Sequence, residues 1–231
     1  DKIQDLSFDK MEGKGFFTKE IEEALLNKKI DLAVHSHKDL ETSPPRGLLI
    51  AAVSDREDPS ELLLIRKNAV NLSNRFSIKE NAIIGTSSAR RKSQLLAFRP
   101  DIKIKELRGN VPTRINKLRE RHYDAIMLAK AGVTRLEIDL SEFHVVTLDP
   151  KEFIPAPAQG VLGLQIREND LELFKLLQQM NDRDVQKRIY IERKVLNLLD
   201  GGCQLPLGVY CEEEYGIMKT WVSQAENAEG I

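Results

Sequence analysis

A lysine followed by an aspartate, Lys38-Asp39, closes the run Val34-His35-Ser36-His37, which reads as the C-terminal end of a strand. In open α/β sheets ligands settle in the crevice beyond such strand ends. A carboxylate there can stabilise a cationic intermediate and manage protons, while the neighbouring ammonium holds an acidic substrate. A solvated surface ion pair is the plainer reading of the same residues. His35 and His37 alternate along the strand, but no acidic or cysteine ligand stands at a convincing spacing, so no metal is expected. Two further stretches share one design. Gly85-Thr86-Ser87-Ser88-Ala89-Arg90-Arg91 is a strand end, a turn and a helix start, and Leu107-Arg108-Gly109-Asn110-Val111-Pro112-Thr113-Arg114 repeats it. Free backbone N–H groups, hydroxyls and the positive end of a helix converge at such junctions and make an anion site. Arg90, Arg91, Arg108 and Arg114 add bidentate carboxylate recognition. The Gly-x4-Gly-Lys pattern of a phosphate loop is absent. Two armed junctions in succession favour a polyanionic small molecule over a single carboxylate.

A thiol completes the set. Asp200-Gly201-Gly202-Cys203-Gln204-Leu205-Pro206-Leu207-Gly208 places Cys203 on a glycine turn, where it is sterically open and reactive if its pKa falls. A structural role is the alternative for Cys203. Cys211, beside Tyr210 in a strand-like run, reads as structural.

The elements that must position these residues follow from periodicity. Helical spacing of Phe17, Ile21, Ala24, Leu25 and Lys28 predicts an amphipathic helix over 17–28. Strands are expected at 31–35, 48–53, 82–85, 102–107 and 124–129, with helices from about 88 to 98, from 110 to about 121, and briefly after 129. Asn110 caps the second of these, with Pro112 in its first turn. Strands and helices alternate, so the fold class is α/β with mixed, largely parallel sheets. The Pro-, Ala- and Gly-rich stretch 150–163 reads as a crossover or hinge. Two helices follow, about 170–181 and 184–199, the second stopped by Gly201-Gly202, and then strand-like pieces to the end.

Composition sets the bounds. The 231 residues make one to two domains on length alone, and the 41% of hydrophobic residues suffices for a core. The longest apolar run, Leu48 to Val53, is far short of the roughly 20 residues that span a bilayer. No signal peptide pattern opens the chain, and two cysteines make no disulfide framework, so a cytoplasmic location is expected. Lys and Arg number 35 against 36 Asp and Glu, a net charge of -1. That balance hides a block: Gly85 to Arg121 carries eleven basic residues against Asp101, Glu106 and Glu120, or +8. An anionic partner, a pair of solvated helix faces and a nucleic-acid surface all fit such a block. Phe98 is its only aromatic, and no nucleic-acid-binding signature is present, which weakens the last.

These segments, in this order, resemble the hydroxymethylbilane synthase (porphobilinogen deaminase) family. Its pattern runs GKGLF, HSxKD, GTSSxRR, LRGNxxTR, PAxGQGxLG and GGCQxPxG. The chain reads Gly13-Lys14-Gly15-Phe16-Phe17, His35 to Asp39, Gly85 to Arg91, Leu107 to Arg114, Pro155 to Gly163 and Gly201 to Gly208. The resemblance implies two lobes like those of periplasmic binding proteins plus a small α+β domain. Domain 1 would comprise 1–58 and 159–181, domain 2 59–158, and domain 3 182–231. It implies a transferase of tetrapyrrole and heme biosynthesis that joins four porphobilinogen units with loss of ammonia. Cys203 would hold a covalent dipyrromethane cofactor and Asp39 would be the catalytic carboxylate. Lys38, Ser88, Arg90, Arg91, Arg108 and Arg114 would bind the cofactor, Arg135 and Gln159 the substrate, and Lys14 and Phe17 would belong to a mobile loop. Porphobilinogen is the implied partner, with no nucleic acid and no membrane, and a monomer is expected. Two departures stand out. Ala158 replaces the first glycine of GQG, and Leu40-Glu41 replaces Val-Pro after HSxKD. The family's N-terminal strand and helix with their Arg-x-Ser motif have no counterpart here, and domain 3 stops early, so a shortened form is expected. A non-catalytic two-lobed binding protein for an acidic ligand is the rival class, and it needs neither a tethering thiol nor a strand-end carboxylate.

Overall fold

The computed structural model describes residues 16–199 and 205–228. Helix α1 spans Phe16–Leu26, followed by β1 (Ala33–Ser36), a 3-10 turn over His37–Asp39, and β2 (Leu48–Val53). Then come β3 (Glu61–Arg66), β4 (Ile83–Gly85), α2 (Ala89–Phe98), β5 (Lys103–Lys105), α3 (Val111–Arg119), β6 (Ala125–Ala129), α4 (Lys130–Arg135) and β7 (Phe143–Leu148). The chain goes on through β8 (Leu162–Arg167), α5 (Leu171–Leu177), α6 (Arg183–Leu198), β9 (Leu207–Glu214) and β10 (Ile217–Gln224).

These elements build a three-stranded sheet in the order β1-β8-β2, a five-stranded sheet in the order β5-β4-β6-β3-β7, and the hairpin β9–β10. The class is α/β with mixed sheets, as expected, but the parallel share is smaller than the alternation of elements implies. Among the described residues only β4 pairs in parallel, with β5 and β6; β8 runs antiparallel to β1 and β2, and β3 antiparallel to β6 and β7. The difference lies in three strands that periodicity does not reveal: β3, β7 and β8. In β3 the residues from Glu61 to Ile65 are all buried, so it has no polar alternation to read.

Both faces of the five-stranded sheet are covered. Leu63, Ile65, Ile84, Met127 and Phe153 pack with Leu95 of α2, and Leu62, Leu64, Ile126 and Leu128 with Ile115 and Leu118 of α3. Alternate β3 residues thus feed opposite cores. Each such side chain contributes about 1.5–3 kcal/mol when fully buried.

Because β4 and β5 are parallel neighbours, their C-terminal ends aim two helix starts at one edge of the sheet. Ser88 caps α2 by accepting from Arg91 N at 3.4 Å, and Asn110 caps α3 by accepting from Thr113 N at 2.9 Å. Ser87 staples the junctions together: its Oγ donates to Leu107 O (2.9 Å) and accepts from Leu107 N (3.0 Å). Tyr123 buttresses the same place, its hydroxyl donating to Glu106 O at 2.6 Å. A Cβ on Gly85 would lie 2.8 Å from that tyrosine ring.

The stretch 150–163 does cross from β7 to β8, through turns. Ala158 there has φ +62, a left-handed conformation that costs an L residue roughly 1–2 kcal/mol, which is why glycine suits the position. Its methyl is buried among Val53, Val161, Val185 and Ile189, which returns about 0.8 kcal/mol. Gly160 has no such latitude: its φ is +92, and a Cβ would overlap the Glu57 carbonyl oxygen. Gly160→Ala should therefore destabilise the chain by about 3 kcal/mol or more, read as a fall in the urea midpoint at unchanged m-value.

Candidate functional site

The 3-10 turn at the end of β1 brings Lys38 and Asp39 to the surface between the two sheets' connections. Asp39 is exposed and Lys38 half-buried. Lys38 Nζ donates to Gln159 Oε1 at 3.2 Å, and Gln159 Nε2 donates to Pro59 O at 2.8 Å. Gln159, fully buried, also accepts at its backbone carbonyl from Arg56 Nε (3.0 Å), so both chain crossings between the sheets meet at this residue. Arg135 of α4 donates to Gly160 O at 2.7 Å, one residue further along the same turn.

Burial pulls the Lys38 ammonium below its ordinary value; Arg91 and Arg90 add to the pull, while Asp39 and Glu61 oppose it. Arg114 is lowered to about 10, by burial first and then by Arg91, with Asp39 acting against both. Lys38, Asp39, Arg91 and Arg114 thus share one electrostatic neighbourhood. The Arg114 side chain is braced by donating from Nε to Gly109 O at 2.6 Å. Lys117 Nζ donates to Arg108 O at 3.0 Å, which fixes the backbone of the half-buried Arg108 at the head of α3.

The paired arginines of α2 have an internal partner that their motif does not announce. Glu61, the first residue of β3, is 0% exposed. Its Oε1 accepts from Arg90 Nη2 (2.6 Å) and Arg91 Nε (3.1 Å), and its Oε2 from Arg91 Nη2 (2.7 Å). Arg90 Nη1 goes on to Ile154 O (2.9 Å) and Arg91 Nη1 to Met127 O (3.2 Å). The two guanidiniums hold the Glu61 carboxyl down at about 2 against the cost of burying it. The pair therefore presents one net positive charge, not two. A lone carboxylate opening an apolar run is the sequence signal that marks Glu61.

Elsewhere in the basic window Arg99 pairs with Asp101 (2.7 Å) and Arg119 with Glu142 (2.6 Å), so these are structural charges. His35 Nε2 lies 3.0 Å from Gln165 Oε1, and His37 is held neutral, lowered to about 4 by burial and by Arg193. Among the described residues no group of three or more His, Cys, Asp or Glu could hold a metal. Among the same residues no helix is long and apolar enough to cross a membrane. Phe17 lies in α1, and Lys14 and Cys203 lie outside the described residues. Cys211 is buried in β9, and burial raises its thiol, which suits the structural reading.

A family model described as porphobilinogen deaminase, dipyromethane cofactor binding domain, matches residues 1–175. The chain belongs to the porphobilinogen deaminase family. Porphobilinogen deaminase of Bacillus subtilis (strain 168) is 46% identical over 213 residues, covering 91% of this chain and 65% of that protein. The protein of that name from Oceanobacillus iheyensis is 44% identical over 210 residues, covering 91% and 66%. The chain thus spans just under two thirds of the length of these curated relatives. Among solved structures, an arginine-specific periplasmic binding protein of Salmonella typhimurium aligns at TM-score 0.42 and 14% identity, over 79% of this chain and 78% of that one. A substrate-binding protein of an amino acid transporter from Streptococcus pneumoniae, bound to L-arginine, aligns at 0.38 and 11% identity, over 77% and 68%.

Glu61→Gln leaves two buried guanidiniums without their counter-charge and should cost about 3–5 kcal/mol in urea unfolding. Because the folded carboxyl sits below its ordinary value of 4.5, its stabilisation is complete above about pH 4.5 and fades as pH falls toward about 2. The Gln variant should lack that acid-dependent loss.

Proposed function

We propose that the chain is the catalytic part of a hydroxymethylbilane synthase, a cytoplasmic, monomeric transferase that links four porphobilinogen units. The observation that carries this reading is an exposed carboxylate, Asp39, set among Lys38, Arg91 and Arg114 in a chain containing this family's cofactor-binding domain. The two sheets are read as domains 1 and 2, and α6 with the hairpin as part of domain 3.

Each condensation breaks the C–N bond of a porphobilinogen aminomethyl group and releases ammonia. The free ring carbon of the growing chain's terminal pyrrole forms the new C–C bond to the methylene carbon that the ammonia left, and then gives up its proton. Positive charge develops on the pyrrole during both events. Asp39 is the group that stabilises this charge and orients the ring N–H, worth most where water is excluded. Lys38 and Arg114 bind the acetate and propionate groups, with Arg108 and the helix start at Ser88 extending the same surface. Arg90 and Arg91 offer their remaining donors and, through Glu61, hold the helix start rigid. Arg135 and Gln159 shape the turn facing the substrate.

The cationic lining suits a group that carries four carboxylates, as a dipyrromethane does. Held through a thioether at Cys203, such a group would supply the primer on which the product is built. Its other contacts would be Lys38, Ser88, Arg90, Arg91, Arg108 and Arg114. Lys14 is assigned to a loop over the site, whereas Phe17, expected in the same loop, belongs to the first turn of α1.

Two measurements test the proposal, on this chain and on a form extended to the length of its relatives. Asp39→Asn should lower kcat for porphobilinogen by about two orders of magnitude or more. A rise in KM at unchanged kcat would make Asp39 a binding residue instead. Intact mass should show a dipyrrole adduct that Cys203→Ser abolishes and Cys211→Ser retains; an adduct surviving in the Cys203 variant overturns the assignment.

A further inference from the structure

Asp39 has no hydrogen-bond or ion-pair partner among the described residues, so its aim is set by the backbone of its own turn. Inside the turn His37 O accepts from Leu40 N at 3.3 Å, while the carbonyls past the end of a 3-10 turn have no internal donors. Here one side chain from a distant helix supplies them. Arg193 of α6 donates from Nη1 to His37 O (3.1 Å) and Leu40 O (3.3 Å). Its Nη2 donates to Leu40 O (3.2 Å) and to Glu41 O. These carbonyls bracket Asp39 on both sides, and the buried Leu40 pins the turn from beneath.

The preceding residue ties the same helix to the crossings. Glu192, fully buried, accepts from Arg56 Nη1 (2.7 Å), from Ala158 N (2.6 Å) and from Cys211 N (2.8 Å). Register on α6 is thereby fixed, and it carries the Arg193 fork to the carbonyls of the turn. The helix ends at Leu198, five residues before Cys203.

We infer that Arg193 is a positioning residue that aims the Asp39 carboxylate by clamping the carbonyls of its turn from the helix leading into the Cys203 segment. The catalytic half of this inference rests on the function proposed above. A lysine cannot replace the fork, since one ammonium cannot reach three carbonyls in that planar geometry.

The test uses Arg193→Lys, which keeps the charge, and Arg193→Met, which removes it. In the substrate-free chain, amide hydrogen exchange at residues 37–41 should quicken about tenfold or more in both, with α2 and β6 unchanged. Unchanged exchange at the turn overturns the clamp. In the form that turns over porphobilinogen, Arg193→Lys should lower kcat about tenfold while KM moves less than about twofold. Added to Asp39→Asn, it should cost nothing more, because a residue that acts only through Asp39 has nothing left to aim. An equal further loss in that background would mean Arg193 serves the fold at large, and the inference fails. If no form turns over porphobilinogen, the deaminase reading falls and the catalytic role of Arg193 with it, while exchange still decides the clamp.

Discussion

A single buried carboxylate organises this molecule. Glu61 stands at the head of a strand whose next four residues are apolar, and two guanidiniums close over it. Removing three charges from water together is tolerable only because each finds its partners within hydrogen-bond reach. The arrangement propagates outward. Arg90 reaches Ile154 O, and Gln94, one turn along α2, clasps the same residue by donating to its carbonyl (2.9 Å) and accepting from its N–H (2.7 Å). Pro155 O then accepts from Val209 N at 3.0 Å, so the hairpin takes its place from the same anchor. Helix, crossover and hairpin are thus tied in sequence to one charge.

The second organiser is a neighbouring pair on α6. Glu192 grips the outgoing crossing at Arg56, the returning one at Ala158, and the hairpin at Cys211. Ion pairs of this kind add little net stability over a well-packed apolar contact, but they penalise every misaligned alternative. At a junction where two sheets and a hairpin meet, that discrimination matters more than raw stability. The left-handed residues at 158 and 160 fit the same logic, since the turn they make brings the backbone N–H of Ala158 onto the carboxylate.

The motif residues were legible because their chemistry is local. Ser88 and Asn110 cap the helices that their spacing predicts, and β2 and β6 lie where short apolar runs place them. The partners of those residues were not legible, because pairing of charges is decided across the fold. Arg90 and Glu61 are 29 residues apart, and Arg56 and Glu192 are 136 apart, with no periodicity to join them. A count of charges along the chain therefore overstates what the two α2 arginines offer a ligand. The direction of strands hides for a similar reason: β3 carries no alternation to read, and its antiparallel pairing with β6 is decided across the fold.

The contact between Gly85 and Tyr123 carries a consequence for descent. The tyrosine ring occupies the space where any other residue at 85 would place its first carbon, and its hydroxyl holds the loop before the second anion junction. A mutation at 85 alone collides, and a smaller residue at 123 alone leaves a hole and a lost bond. Neither position can drift by itself. Lineages that keep this edge of the sheet must inherit the two residues as one unit, or exchange them together.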